Sequence, residues 1–301
     1  MNESGKYQVL QEPGHAGSHP KCYADALQGY LAAFGRSAPA APPAPATATA
    51  TLPGTIVVGV DDSPAGCTAL DHAAIEAHLH GWELRLVHAQ HSGVRQATRA
   101  AGSQLLDRLV DRVHVAAPEV AVTRHLAIGS AVSSLLVEGR NADLLVVGHR
   151  HKAVGTMLGL TVGDQVAAQH SGIVMVVRMP YWPPESGFGA LPLVVGVDNP
   201  ALMTSAVAFA LEEARLRGCE LVVLHAQPNA TTCERTEIVG GVVVHRRTVD
   251  ADPSPALIDY SRRAAAVVVG RRGVGINPVT MLGSVSRAMV QHADCPVFLI
   301  G

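Results

Sequence analysis

The chain has 301 residues, 48% of them hydrophobic but only 4% aromatic, so its cores must be built from Val, Leu, Ala and Ile. A formal net charge of −2 excludes the basic footprint of a nucleic-acid binder. No apolar run approaches the roughly 18 residues needed to span a bilayer.

Residues 1–54 read as a tail. Within it, YADALQGYLAAFGR places Leu27, Tyr30, Leu31 and Phe34 at helical spacing, and SAPAAPPAPATATATLPG is an extended Pro/Ala/Thr linker. The first twenty residues lack a basic stretch followed by an apolar one, so no secretory signal is expected. TIVVGV then predicts a buried strand. A helix follows over Ala65–His80, with Ser63 as its N-cap and Pro64 in its first turn. ELRLVHA is the next strand, Arg95–Val115 a second helix, and VAVTRHLA, DLLVVG and IVMVV further strands, with SSLLVEGR helical between the first two. Continuous Val/Leu/Ile strands alternating with helices predict a parallel sheet covered on both faces.

This pattern then repeats. Ile56–Gln90 laid over Leu193–Gln227 without a gap gives sixteen identities in 35 positions, and Val120–His170 over Val242–His292 gives thirteen in 51. The offset falls from 137 to 122, so the second half lacks 15 residues where the first has its second helix. There the second half keeps only PNATTCERTEIVGG, which predicts a helix lost or reduced to a turn. The domains are therefore expected at 55–179 and 192–301, joined by a linker at 180–191.

Five scattered cysteines (Cys22, Cys67, Cys219, Cys233 and Cys295) form no CxxC pair and read as free thiols of a reducing cytoplasm. His149 and His151 sit two apart in GHRH, but solvated loop histidines account for them more simply than a metal site. In open parallel sheets, ligands bind beyond the carboxyl ends of strands at a switch in strand order. Asp198 closes the first strand of the second half and Gly270 the fourth, so the two flank one crevice if those strands are neighbours. From Gly270 the spacing Gly270-x2-Gly273-x9-Gly283-Ser284 leads into the helical VSRAMVQHA. Glycines permit close backbone approach, and a helix N-terminus favours an anion. Without GK[ST] this is no Walker A loop, and a surface crossover whose Ser284 only caps the helix is the competing reading.

IVVGVDDSPAG, the repeated LVVGVD, HLHGWELRLVHA with LRGCELVVLHA, the terminal ADCPVFLI and the glycine spacing together resemble the universal stress protein family over residues 55–301. The resemblance implies two tandem, doubly wound α/β domains with five-stranded parallel sheets, similar to the adenine nucleotide alpha hydrolases; the missing residues leave the second domain with a shortened second helix, a departure from that pattern. The resemblance also implies dimerisation through the last strand and cytoplasmic signalling under stress; in a tandem chain that pairing is expected within the chain or in a homodimer. Gly270, Gly273, Gly283 and Ser284 would contact the phosphates and ribose of ATP. Asp198 would lie near ribose and adenine, with or without Mg²⁺, and Ala226 would present its backbone to the adenine edge.

Two departures bear on this. Asp198 is followed by Asn199-Pro200 in place of a Gly-Ser-like pair. In the first half, His151, Thr161 and Val162 stand opposite Gly273, Gly283 and Ser284; a gapped alternative sets Gly159 and Leu160 opposite the last two. Either way the helix-entry hydroxyl is expected to be lost, so ATP binding is expected mainly in the second half. No catalytic constellation emerges, and the chain is expected not to be an enzyme. His88 and His225 are expected to pack or hydrogen-bond at strand ends. The alternative function is a nucleotide-free protein-interaction scaffold whose last strands, Ile173–Val177 and Val297–Ile300, pair internally and hide the sheet edges.

Overall fold

The computed structural model describes residues 54–90, 96–149, 160–178, 191–271 and 282–301. The tail, its helix and linker, the inter-half linker through residue 190, His151, Gly159 and Gly273 lie outside the described residues. The first half runs β1 (Thr55–Gly59), α1 (Pro64–His80), β2 (Glu83–Gln90), α2 (Gln96–Ala116), β3 (Val122–Ile128), α3 (Ala131–Glu138), β4 (Leu144–Gly148), α4 (Val162–Gln169) and β5 (Val174–Val177). The second runs β6 (Leu193–Gly196), α5 (Ser205–Arg217), β7 (Leu221–Ala226), β8 (Cys233–Val239), β9 (Val242–Val249), α6 (Pro253–Ser261), β10 (Ala266–Gly270), α7 (Ser284–His292) and β11 (Val297–Ile300).

The eleven strands form one sheet in the order β3-β2-β1-β4-β5-β11-β10-β6-β7-β9-β8. It is parallel within each half apart from β8, and the halves join where β5 meets β11 antiparallel, with Met175 opposite Phe298. The last strands thus pair within the chain, as the sequence reading allowed. Helices α1, α2 and α5 cover one face and α3, α4, α6 and α7 the other, each over a core of Val, Leu, Ile and Ala. Burying each large aliphatic side chain stabilises by about 1.5–3 kcal/mol, so aromatics are not needed.

Local chemistry sets the element ends. Ser63 caps α1 by accepting a bond from the Gly66 amide at 3.1 Å, with Pro64 in the first turn, as predicted. Gly81 and Gly218 end α1 and α5 in the left-handed region, at φ 66° and 64°. In the second half, α5 starts one turn late. Pro200 stands where Ser63 caps α1, and the cap passes to Thr204, whose hydroxyl accepts from Val207 N at 3.3 Å.

The missing second helix of the second half is not shortened but replaced by an edge strand, so that half has six strands rather than five. Cys233–Val239 pairs antiparallel with β9 through a tight turn in which Gly240 and Gly241 have φ 57° and 86°. Two consecutive positive φ values make the hairpin turn whose twist suits antiparallel strands, and both positions favour glycine. Glu234 faces Arg247 across the pair and Glu237 bonds Arg246 at 2.6 Å, so the edge is charged.

Where the halves meet, α1 and α5 bury an ionic network. Glu76 and His80 of α1 are the repeat counterparts of Glu213 and Arg217 of α5. Arg217 binds both carboxylates, and His80 Nε2 lies 2.8 Å from Glu213. Burial raises the Glu76 carboxyl despite Arg217, whereas at Glu213 the bonds from Arg217 and His80 overcome burial. Burial, with Arg217 nearby, pushes His72 down to about 3 and keeps it neutral.

Candidate functional site

Strands β1 and β4 are parallel neighbours, and so are β6 and β10, so each half has a switch in strand order between these strands. In the second half, Gly270 ends β10, Ala226 ends β7, and Asp198 lies exposed two residues beyond β6. Helix α7 returns to this end: Gly283 N donates to the Arg271 carbonyl at 3.0 Å, and Ser286 Oγ to the Gly270 carbonyl at 2.7 Å. Gly283 is buried and is the N-cap of α7, and Ser284, exposed, is its first residue. Five of the six expected site residues therefore gather at the carboxyl ends of β6, β7 and β10; the sixth, Gly273, lies outside the described residues. Because Gly283 has no side chain, the N-cap itself gives the first turn of α7 no side-chain acceptor. The N-terminus of a helix carries partial positive charge on its first-turn amides.

The first half treats the same place differently. Thr161 caps α4, at the position Gly283 occupies in α7, which favours the ungapped comparison of the two loops. The helix-entry hydroxyl is thus not lost, as the sequence reading expected, but moved one residue earlier. It accepts from Asp164 N at 3.1 Å, and Asp164 Oδ2 accepts from Thr161 N at 2.9 Å and Oγ1 at 2.8 Å. This capping box fills the N-terminus of α4 with the chain's own carboxylate. Asp164 is 6% exposed, and His149 Nε2 lies 3.3 Å from it. Burial opposes its ionisation, but the bonds from His149 and Thr161 prevail and hold it at about 2. The sequence reading passed over Asp164, although Thr161-x-x-Asp164 is a visible cap signature.

A cavity of about 350 Å³ opens at this end of the first half, at the lower end of the range for small-molecule sites. Gly59, Leu135 and Val147 supply its apolar wall, Asp61 and His88 polar edges, and Thr161 the mouth of α4. Its shape depends on glycine: a Cβ on Gly66 would lie 2.5 Å from Asp61 Oδ1, and one on Gly148 2.5 Å from the Ala65 carbonyl. Asp61 accepts from Ser63 N at 3.1 Å and from the Ser63 hydroxyl, fixing the start of α1. His88 and His225 bond the Val60 and Val197 carbonyls through Nδ1 at 2.9 and 3.1 Å. Each therefore ties one strand end to the next, as expected.

The Universal stress protein family profile matches residues 54–178 and 229–301. The chain belongs to the universal stress protein family. A universal stress protein of Mycobacterium tuberculosis strain H37Rv is 28% identical over 302 residues, covering 81% of this chain and 94% of that one. One from Mycolicibacterium smegmatis is also 28% identical, over 289 residues, covering 81% and 96%. The crystal structure of a universal stress protein from Archaeoglobus fulgidus superposes with a TM-score of 0.62 at 16% identity, over 82% of this chain and 97% of that one. That likeness extends the shared fold across both halves of this universal stress protein. The unmatched stretch between the two profile segments contains Pro200 and the late start of α5, where the second half departs from the first. Among the described residues, no helix is long and apolar enough to cross a membrane.

Proposed function

We propose that this universal stress protein is a non-catalytic, cytoplasmic regulatory module that binds ATP in its second half. The uncapped N-terminus of α7 carries the reading: Gly283 gives the helix no acceptor of its own, directly beside the end of β10. Gly270, Gly273, Gly283 and Ser284 would hold the phosphates through backbone amides and the Ser284 hydroxyl. Asp198 would accept from ribose or adenine donors, or hold Mg²⁺ through water, and Ala226 would meet the adenine edge with its backbone. Bound nucleotide would bridge β6, β7 and α7 and so alter the surface offered to protein partners.

Equilibrium dialysis of the full chain against ATP tests this reading. The account expects saturable binding that Gly283→Val removes while the circular dichroism spectrum is retained. Absence of binding at millimolar ATP would leave the nucleotide-free scaffold as the better description.

A further inference from the structure

The ionic network between α1 and α5 brings together three atoms that a metal ion could share. Glu76 and His80 stand four residues apart, on one face of the last turns of α1, and Glu213 reaches them from α5. The repeat makes the arrangement nearly two-fold: Glu76 matches Glu213, but His80 stands where the second half has Arg217. The two oxygens of each carboxylate face different partners. Arg217 binds Glu76 Oε1 and Glu213 Oε2. Glu76 Oε2 and Glu213 Oε1 turn to the imidazole, with His80 Nε2 4.0 Å from the first and 2.8 Å from the second. All three atoms lie within 4.8 Å of one another. Glu76 Oε2 is buried on a side chain 2% exposed and has no hydrogen-bond partner among the described residues.

We propose that Glu76, His80 and Glu213 form a zinc site that clips the first half to the second. Zinc bonds of about 2.0–2.2 Å at tetrahedral angles separate the ligand atoms by about 3.3–3.6 Å. The three atoms straddle that spacing, so small side-chain shifts close them around one ion. One imidazole nitrogen and two carboxylate oxygens suit Zn²⁺, whereas Mg²⁺ and Ca²⁺ take oxygen. Arg217 would hold the outer oxygens of both carboxylates and so orient them toward the metal. Within this cluster two carboxylates face one guanidinium, and burial raises the Glu76 carboxyl, so a cation is favoured there. The His80 side chain, 11% exposed and stacked on Trp82 at 4.1 Å, offers a route from solvent and a fixed ring. Zn²⁺ would replace the proton between His80 Nε2 and Glu213, the imidazole keeping its proton on Nδ1, and water would complete the coordination. The metal would tie helices of both halves together on the face of the sheet they share, using none of the residues proposed to hold ATP.

The test is isothermal titration calorimetry of Zn²⁺ into the full chain after treatment with a chelator, for wild type, Glu76→Gln and His80→Gln. The account expects one tightly bound zinc per wild-type chain and an affinity lowered about tenfold or more in each variant. Circular dichroism checks that each variant is folded. Co²⁺ added to the wild-type chain gives a second reading that needs no variant. The account expects the visible spectrum of a four- or five-coordinate nitrogen–oxygen site, without the near-ultraviolet band of a cobalt–thiolate bond. The proposal is overturned if wild type binds no zinc, if folded Glu76→Gln binds it as tightly as wild type, or if bound Co²⁺ shows the thiolate band.

Discussion

Asp164 offers a pH signature that can be worked from the structure. The group is nearly fully buried, accepts from Thr161 and His149, and is moved from an ordinary 3.8 to about 2. Because its folded value lies below its unfolded value, its contribution is complete above 3.8 and is lost as the pH falls through about 2. At 1.36 kcal/mol per pH unit the gap between 3.8 and about 2 is worth about 2.4 kcal/mol. The same linkage removes about 1.1 kcal/mol of it by pH 3. Replacing Asp164 with Asn deletes the titrating charge while keeping a similar shape. The stability difference between wild type and variant, from urea unfolding followed by circular dichroism, should therefore be about 1–2.4 kcal/mol at pH 6 and shrink by about 1 kcal/mol at pH 3. A difference below about 0.5 kcal/mol at pH 6, the range of an ordinary surface substitution, would show that the carboxylate is not held as described. So would a difference unchanged at pH 3.

Other consequences follow from single residues. Arg217→Met leaves Glu76 and Glu213 buried without their guanidinium and should cost about 3–5 kcal/mol, with part recovered in Arg217→Met/Glu76→Gln. Gly241→Val, at φ 86°, should destabilise the β8–β9 hairpin by about 1–2 kcal/mol, read as faster amide exchange in β8 with the rest of the sheet unchanged. Under native conditions Cys233, exposed, should react rapidly with a thiol reagent. Cys295, fully buried and raised by that burial, should react only on unfolding.

Much of the fold was legible because its signals are local. Ser63-Pro64 announces α1 through cap chemistry alone, and the Val-rich runs announce buried parallel strands. The repeat then carried the reading of one half to the other. It failed where the halves diverge in kind. Set against the first half, CERTEIV reads as the remnant of a lost helix, although the Gly240-Gly241 pair that follows is a hairpin signal. Comparison by residue type also hid Thr161: its hydroxyl precedes the Ser284 position by one residue, and only its reciprocal bonds with Asp164 show that it caps α4. The identity of Glu76 with Glu213 was visible, but its meaning was not. It needs the antiparallel meeting of β5 and β11, which brings α1 and α5 together and allows Arg217 to reach both carboxylates.

Among the described residues, the two halves differ in whether the N-cap of the last helix bears a side-chain acceptor, and the proposed ATP site rests on that difference. Native mass spectrometry of the full chain with ATP, for wild type, Gly283→Val and Gly66→Val, tests it most directly. The account predicts a single bound ATP in wild type, retained in Gly66→Val and lost in Gly283→Val. ATP retained in Gly283→Val but lost in Gly66→Val would place the nucleotide in the first half and contradict it.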